Sequence, residues 1–335
     1  MTSYGSRTST GGLEPGGVEI EEATVVCVIV TYDPDHARLQ QLLAAVTPQV
    51  ARIVVVDNGS ADSRLGWLRG LAGPALTLVE LGSNKGVAAA QNAGLVEARN
   101  GPCSHVLLLD HDSVPAATMV AELLNACRKV RPAGRGVGAV GPRYLDQRLD
   151  NPPPFIRVRG LRVHRCPCPT ADTIVEVDYL IASGSLIPLS TLDEVGAMAE
   201  ELFIDYVDIE WGLRARRKGF QSYGVCAALM AHDLGEAPVS FLGRSLPMHS
   251  ALRHYYHFRN AVWLYRSRGL PLHWKFADGC RLVLRYGFYT LFAHPRRQHL
   301  RMMTKGIADG LRGRLGAIGS GADQTTDGVS PGSGT

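Results

Sequence analysis

With 335 residues and 45 % hydrophobic content, the chain can bury one large core or two small ones, which excludes a protein too polar to fold. No apolar run approaches the ~20 residues that span a bilayer; the longest, LVLRYGFYTLF from Leu282 to Phe292, is broken by Arg285. The formal net charge of +4 is unevenly held: between Gly243 and Ala317 the acids are Asp278 and Asp309 alone, against arginines and lysines from Arg244 to Arg314. That balance suits an anionic partner such as phosphate, nucleic acid or a membrane surface.

In chain order, residues 1–22 lack the apolar centre of a secretory signal and read as a disordered leader. TVVCVIVTY is a valine-rich run suited to a strand buried on both faces. Asp33 and Pro34 then start a helix that carries Leu39, Leu42, Leu43 and Val46 at helical spacing. RIVVVDNGS and LTLVEL are two more strands, NKGVAAAQNAGLVEARN an alanine-rich helix, HVLLLDHDS a fourth strand and AATMVAELLNACRKV a further helix. Such alternation predicts an α/β fold with a mostly parallel sheet and helices on both faces. Ligands of such sheets bind beyond the carboxyl ends of the strands. Asp33, the run Asp57-Asn58-Gly59-Ser60 and the run Asp110-His111-Asp112 should therefore meet on one edge.

Beyond Pro142 the pattern loosens. FIRVRGLRVHR alternates, and IVEVDYLIASGSLIPLS is apolar around a small-residue turn at Ser183-Gly184-Ser185. DYVDIEWGLRARRKGF reads as a helix closed by Gly219, and GVCAALMAHDLGE as a last strand reaching His232. The expected organisation is a leader at 1–22, an α/β domain at 23–242, a basic, aromatic helical region at 243–316 and a disordered Gly/Ser tail at 317–335. Seven scattered cysteines form no framework and fit a reduced, cytoplasmic setting; Cys166 and Cys168 read as loop cysteines, since no second cluster completes a metal site.

The chemistry concentrates at VLLLDHDSVP. Two carboxylates, Asp110 and Asp112, end a buried strand together, and such a pair can hold Mg²⁺ or Mn²⁺ on a substrate diphosphate. Capping of the next helix would account for one of them, not both.

The order VIVTYDPD, VVVDNGS, NKGVAAAQNAG, LLLDHDS, YLIASGSLIP, ELFIDYVDIEWGLRARRKGF and MAHDLGE resembles that of family 2 glycosyltransferases with the GT-A fold, and among them bacterial rhamnosyltransferases. The resemblance spans roughly Val25 to Glu236. It implies a Rossmann-like nucleotide-diphospho-sugar transferase in which the aspartate pair is the family's metal site. By the same resemblance Asp57 accepts from a pyrimidine base, Thr31 and Tyr32 line the nucleoside pocket, and Asn84, Gly86 and Asn92 follow the nucleotide. Asp110 faces the ribose or a metal-bound water, Asp112 the metal, and His232 supplies a further ligand. Asp208 becomes the general base, with Asp205 as rival because Val207 stands where glutamate is commoner. Ser183, Gly184, Asp205, Glu210 and Trp211 are expected near the acceptor, Glu210 as a structural or acceptor contact. Of Arg253 and Arg259, Arg259 is the expected partner of the diphosphate. Asp33, where the pattern more often has asparagine, carries no catalytic role.

The implied activity is inverting transfer of a sugar, L-rhamnose from dTDP-L-rhamnose by resemblance, to a hydroxyl of a glycan or lipid-linked cell-surface polysaccharide precursor. Basic residues interleaved with Trp263, Trp274, Tyr286, Phe288 and Phe292 suit peripheral contact with anionic membrane at the inner face of the cell membrane. Competing readings are a UDP-hexose donor and a non-catalytic nucleotide-sugar-binding protein. An oxidoreductase would need a G-x-G-x-x-G after the first strand, which is absent, and no nucleic-acid reader motif appears.

Overall fold

The first seven strand residues, Val25–Thr31 (β1), are buried without exception, and that sets the layering of the molecule. The computed structural model describes residues 23–130, 135–145, 155–232, 239–241, 244–246 and 249–319. The expected leader and most of the expected tail lie outside the described residues. In order follow α1 (His36–Val46), β2 (Arg52–Asp57), α2 (Asp62–Arg69), β3 (Leu76–Glu80), α3 (Val87–Ala98), β4 (His105–Asp110), β5 (Ser113–Pro115) and α4 (Met119–Val130). Then come β6 (Gly136–Leu145), β7 (Phe155–Arg159), β8 (Arg162–Cys166), β9 (Ile174–Val177), β10 (Leu186–Pro188), α5 (Leu189–Val195), α6 (Val207–Arg217) and β11 (Phe220–His232). Three helices close the described chain: α7 (Ala251–Arg266), α8 (Leu272–Phe292) and α9 (Arg296–Arg312).

The sheet runs β3-β2-β1-β4-β10-β6-β11-β5, with β9 on β11. β3, β2, β1 and β4 are parallel, as the alternation predicts. β10 and β5 are antiparallel insertions, and β6 pairs parallel with β11. Period-two alternation divides each central strand between two cores. Val26, Val28, Val54, Val56, Val106 and Leu108 join residues of α3 and α6 on one face. Cys27, Ile29, Ile53, Val55, Leu107 and Leu109 join α1 and α4 on the other.

A third core holds α7, α8 and α9 against the domain. Phe258, Leu264, Trp274, Leu282, Tyr289 and Met303 share it with Val158, Tyr206 and Leu213. Helices α7 and α9 approach closely because α9 offers glycine at two positions four apart. A Cβ at Gly306 would lie 2.4 Å from the Tyr255 carbonyl oxygen, and one at Gly310 2.5 Å from that of Arg259.

Three local expectations are corrected. Asp35, not Asp33, caps α1: its Oδ1 accepts from the Arg38 amide at 3.0 Å. The alternating FIRVRGLRVHR folds back on itself as the β7–β8 hairpin. Cys168 is bonded to Cys226 on β11, so it is neither half of a metal site nor a free loop cysteine, and the pair is at odds with a reduced setting. Among the described residues no helix is long and apolar enough to cross a membrane.

Candidate active site

Parallel register brings the strand ends together. Thr31 lies opposite Asp57, and Val30 opposite Asp110, so the polar residues after β1, β2 and β4 share one edge. The Asp57 carboxylate is fully buried and accepts from the amides of Gly59 at 3.1 Å and Ser60 at 2.9 Å, from Thr31 Oγ1 at 3.2 Å and from Ser60 Oγ. These donors make it the organiser of the turn at the edge where a nucleotide base is expected. Asp33 joins the same turn, accepting from the Ala61 amide and donating its own amide to Ser60 Oγ, each at 2.8 Å. Tyr32 stands half exposed at the rim.

The next loop is tied to this turn. Asn58 Nδ2 donates to Asn84 Oδ1 at 3.2 Å, and Asn84 Oδ1 also accepts from the Gly86 amide at 3.0 Å. Gly86 has φ +92°, and a Cβ there would sit 2.6 Å from the Phe203 carbonyl oxygen. Only glycine allows that approach, which lets the Val87 amide donate to the Phe203 carbonyl at 2.7 Å. Asn92 reaches not toward a nucleotide but to Met198: its Nδ2 donates to the Met198 carbonyl at 3.0 Å and its Oδ1 accepts from the Met198 amide at 2.8 Å.

Asp110 and Asp112 flank the tight connection from β4 to β5. The Asp110 amide donates to Ser183 Oγ at 3.0 Å, and Ser183 Oγ lies 2.8 Å from Ser113 Oγ. The Gly184 amide donates to the Leu108 carbonyl at 2.7 Å. Ser183 and Gly184 are thus the floor beneath the aspartates, not part of an open acceptor surface. β5 pairs with β11 so that His232 stands opposite Ser113, one residue from Asp112; the His232 side chain lies outside the described residues. Two hard oxygen donors on one edge fit Mg²⁺ or Mn²⁺ when a diphosphate and water complete the shell. They form no protein cage: among the described residues no group of three or more His, Cys, Asp or Glu is placed to hold a metal.

Facing this edge is the first turn of α6. Asp208 is half-buried beside a small cavity of about 20 Å³ with apolar walls that include Leu108, Leu180, Ile187 and Trp211. Burial pushes its pKa up to about 6, and the nearby charges of Asp205 and Asp110 push the same way, while the Ile209 amide, donating to Oδ1 at 2.8 Å, opposes them. Asp205 pairs with Arg253 at 3.2 Å. Burial acts to lower the Arg253 pKa, but Asp205, then Asp110 and Asp208, raise it on balance. Arg253, not Arg259, is therefore the guanidinium in the field of the acids. Arg259 is fully buried and donates to the carbonyls of Gly316, Glu201 and Leu202 and to Asn260 Oδ1. Glu210 binds Arg214 at 2.9 Å, and Arg214 also holds the Val195 carbonyl. Trp211 is buried and donates to the Gly196 carbonyl at 2.9 Å. Both support α6 from within: Glu210 takes the structural of its two expected roles, while Trp211 is packed inside and not on an acceptor surface.

The segment leading into α6 was not legible beforehand. Phe203, Asp205 and Tyr206 have φ of +66°, +62° and +66°, a left-handed run that costs these side chains energy unless the surroundings impose it. They do. Asn260 Nδ2 lies 2.8–2.9 Å from the carbonyls of Leu202, Ile204 and Asp205. Phe203 stacks on Tyr256 at 4.9 Å, and the Tyr206 hydroxyl donates to Asp278 at 2.8 Å. The signal lay in HYYHFRN of α7, but nothing in its spacing says which polar side chain turns inward.

Comparison with known proteins agrees with this geometry. Residues 26–159 match Glycosyl transferase family 2. The chain is 29 % identical over 299 residues to the dTDP-rhamnosyl transferase RfbF of Shigella flexneri, covering 88 % of this chain and 97 % of that one. Among solved structures it resembles GalNAc-T7 with UDP, GalNAc and Mn²⁺, with TM-score 0.58 and 14 % identity, over 88 % of this chain; it spans 57 % of that one. It also resembles S. aureus TarS 1-349 in complex with UDP-GlcNAc, with TM-score 0.54 and 15 % identity, over 86 % of this chain and 81 % of that one. The chain is thus similar to family 2 glycosyltransferases over residues 26–159 and is built on the GT-A fold.

Proposed function

We propose that the protein transfers L-rhamnose from dTDP-L-rhamnose, with inversion, to a hydroxyl of a lipid-linked glycan. The observation that carries the transferase chemistry is Asp208, a half-buried carboxylate with its pKa held up to about 6, facing the edge that bears Asp110 and Asp112. Asp208 takes the acceptor hydroxyl's proton as that oxygen attacks the anomeric carbon, and the bond from that carbon to the diphosphate oxygen breaks. A carboxylate with this pKa is mostly ionised at neutral pH yet more basic than an exposed one, the compromise general-base catalysis needs. Asp110 and Asp112 would hold a divalent cation, which supplies neutralisation of the departing diphosphate. Arg253 adds positive charge on the same side and orients Asp205. The rhamnosyl donor is supported by the Shigella relative, which covers nearly the whole chain.

The test is single-turnover transfer with a panel of dTDP-L-rhamnose, UDP-glucose, UDP-galactose and UDP-GlcNAc, Mg²⁺ or Mn²⁺, and polyprenyl-diphosphate-linked sugars. Product from dTDP-L-rhamnose alone supports the proposal; product only from a UDP-sugar overturns the donor.

A further inference from the structure

Helix α8 buries Trp274, Ala277, Asp278, Leu282 and Tyr289 against the third core. Its other side is open. Leu272, Phe276, Val283, Leu284 and Leu291 are between 60 % and 72 % exposed. At about 100° per residue they fall on one arc of about 120° that runs the length of the helix. His273, Cys280, Gly287 and Thr290 lie on the same arc, and it carries no Asp, Glu, Lys or Arg. A mostly apolar face of this length, free of carboxylates, lysines and arginines, marks a contact surface on a surface helix. The aromatics singled out from sequence are not that surface: Trp274 is buried, and Trp263, Tyr286 and Phe288 pack into the third core.

The surrounding charge selects the occupant. Over residues 249–319 the acids are Asp278 and Asp309, and both are buried, so every exposed charge on α7, α8 and α9 is positive. Arg296, Arg297 and Arg301 stand exposed just beyond the C-terminal end of the stripe. A second copy packed symmetrically on this face would bring two acid-free surfaces together. An anionic bilayer answers both features, taking the apolar side chains between its headgroups and the arginines at its phosphates. One side of α8 is packed in the third core and the helix is not apolar enough to cross a membrane, so it must lie in the plane of the interface.

We infer that α8 is an in-plane membrane-docking helix that seats Leu272, Phe276, Val283, Leu284 and Leu291 in an anionic lipid surface, with the first turns of α9 as its electrostatic anchor. Binding is read without donor or acceptor, so its failure leaves the transferase reading untouched.

Among the described free cysteines, Cys280 alone is exposed and it lies on the stripe, which provides a reporter. The full chain, labelled there with an environment-sensitive fluorophore (Cys280→Ser as labelling control), is titrated with phosphatidylglycerol/phosphatidylcholine vesicles and with pure phosphatidylcholine vesicles. Partitioning at least tenfold stronger onto the anionic vesicles is expected, with a blue shift and quenching by spin-labelled acyl chains. Phe276→Ser with Leu284→Ser should lower partitioning at least tenfold at unchanged near-ultraviolet circular dichroism. No partitioning, or partitioning without change at position 280, overturns the inference. So does a concentration-dependent dimer in sedimentation velocity that the double substitution abolishes, which would give the face to a second copy.

Discussion

Asp208 owes its basicity to an apolar wall and two neighbouring carboxylates, and each has a measurable consequence. Burial and the two neighbouring charges push its pKa up to about 6, and a cation at Asp110 would draw it lower, so in the metal-loaded enzyme kcat/KM should fall about tenfold per pH unit below a pKa no higher than about 6 and level off above it. Asp208→Asn should lower kcat at least ~10²-fold with donor affinity nearly unchanged, because a base acts in the transition state. Stability moves the other way. A carboxyl with a raised folded pKa favours the folded state fully below its ordinary value of 3.8, and that contribution is lost as pH rises to about 6. Above pH 6 the wild type keeps a half-buried charge that Asp208→Asn removes, so the variant should be about 1–2 kcal/mol more stable at pH 7.5 but not at pH 4 in thermal melts. Asp205→Asn should be milder in turnover: asparagine tolerates the left-handed backbone, and what is lost is the pair with Arg253. At this scale the Asp110–Asp112 pair is visible in the sequence from its place after a buried strand, whereas Asp208 is singled out by the family resemblance alone, with Asp205 left as its rival. Arg259 is not on the open site because Arg253 and Arg259 occupy one helix and only tertiary packing, against the carbonyls of Glu201, Leu202 and Gly316, decides which is sealed.

Between β10 and α6 the structure depends on support from other elements. The left-handed run at 203–206 is held from one side by the loop at Gly86 and from the other by Asn260 of α7. Asn260→Ala removes hydrogen bonds to three buried or half-buried carbonyls and should cost about 1–3 kcal/mol in denaturant unfolding. Its kcat should fall more than its donor affinity, since the displaced segment carries Asp205 and leads into Asp208. Gly86→Ala meets both a positive φ and a backbone oxygen at 2.6 Å, and should lose activity at temperatures where circular dichroism still reports a folded chain. Periodicity revealed the long elements. β5 and β10, three residues each, are too short to show a period, and both are set by pairing partners distant in sequence.

Taken whole, the described residues form three cores, two of which are legible in the sequence as the faces of one mostly parallel sheet. The third is hidden in a region whose composition, dominated by charge and aromatic content, fits a membrane contact as well as packing on the domain. Its inward residues meet Val158, Tyr206 and Leu213. Deleting residues 251–319 should therefore abolish transfer and reduce cooperative unfolding of what remains, measured by thermal melts alongside activity. The contact of Gly306 and Gly310 with the carbonyls of Tyr255 and Arg259 extends that dependence to α9, which supplies no acid or base to the reaction. A single methyl group at position 306 would lever α7 away from the segment that Asn260 holds. The three helices are thus not an exchangeable module: a chimera that borrowed them from a relative would inherit a working base only if its α7–α9 spacing matched to within a fraction of an ångström.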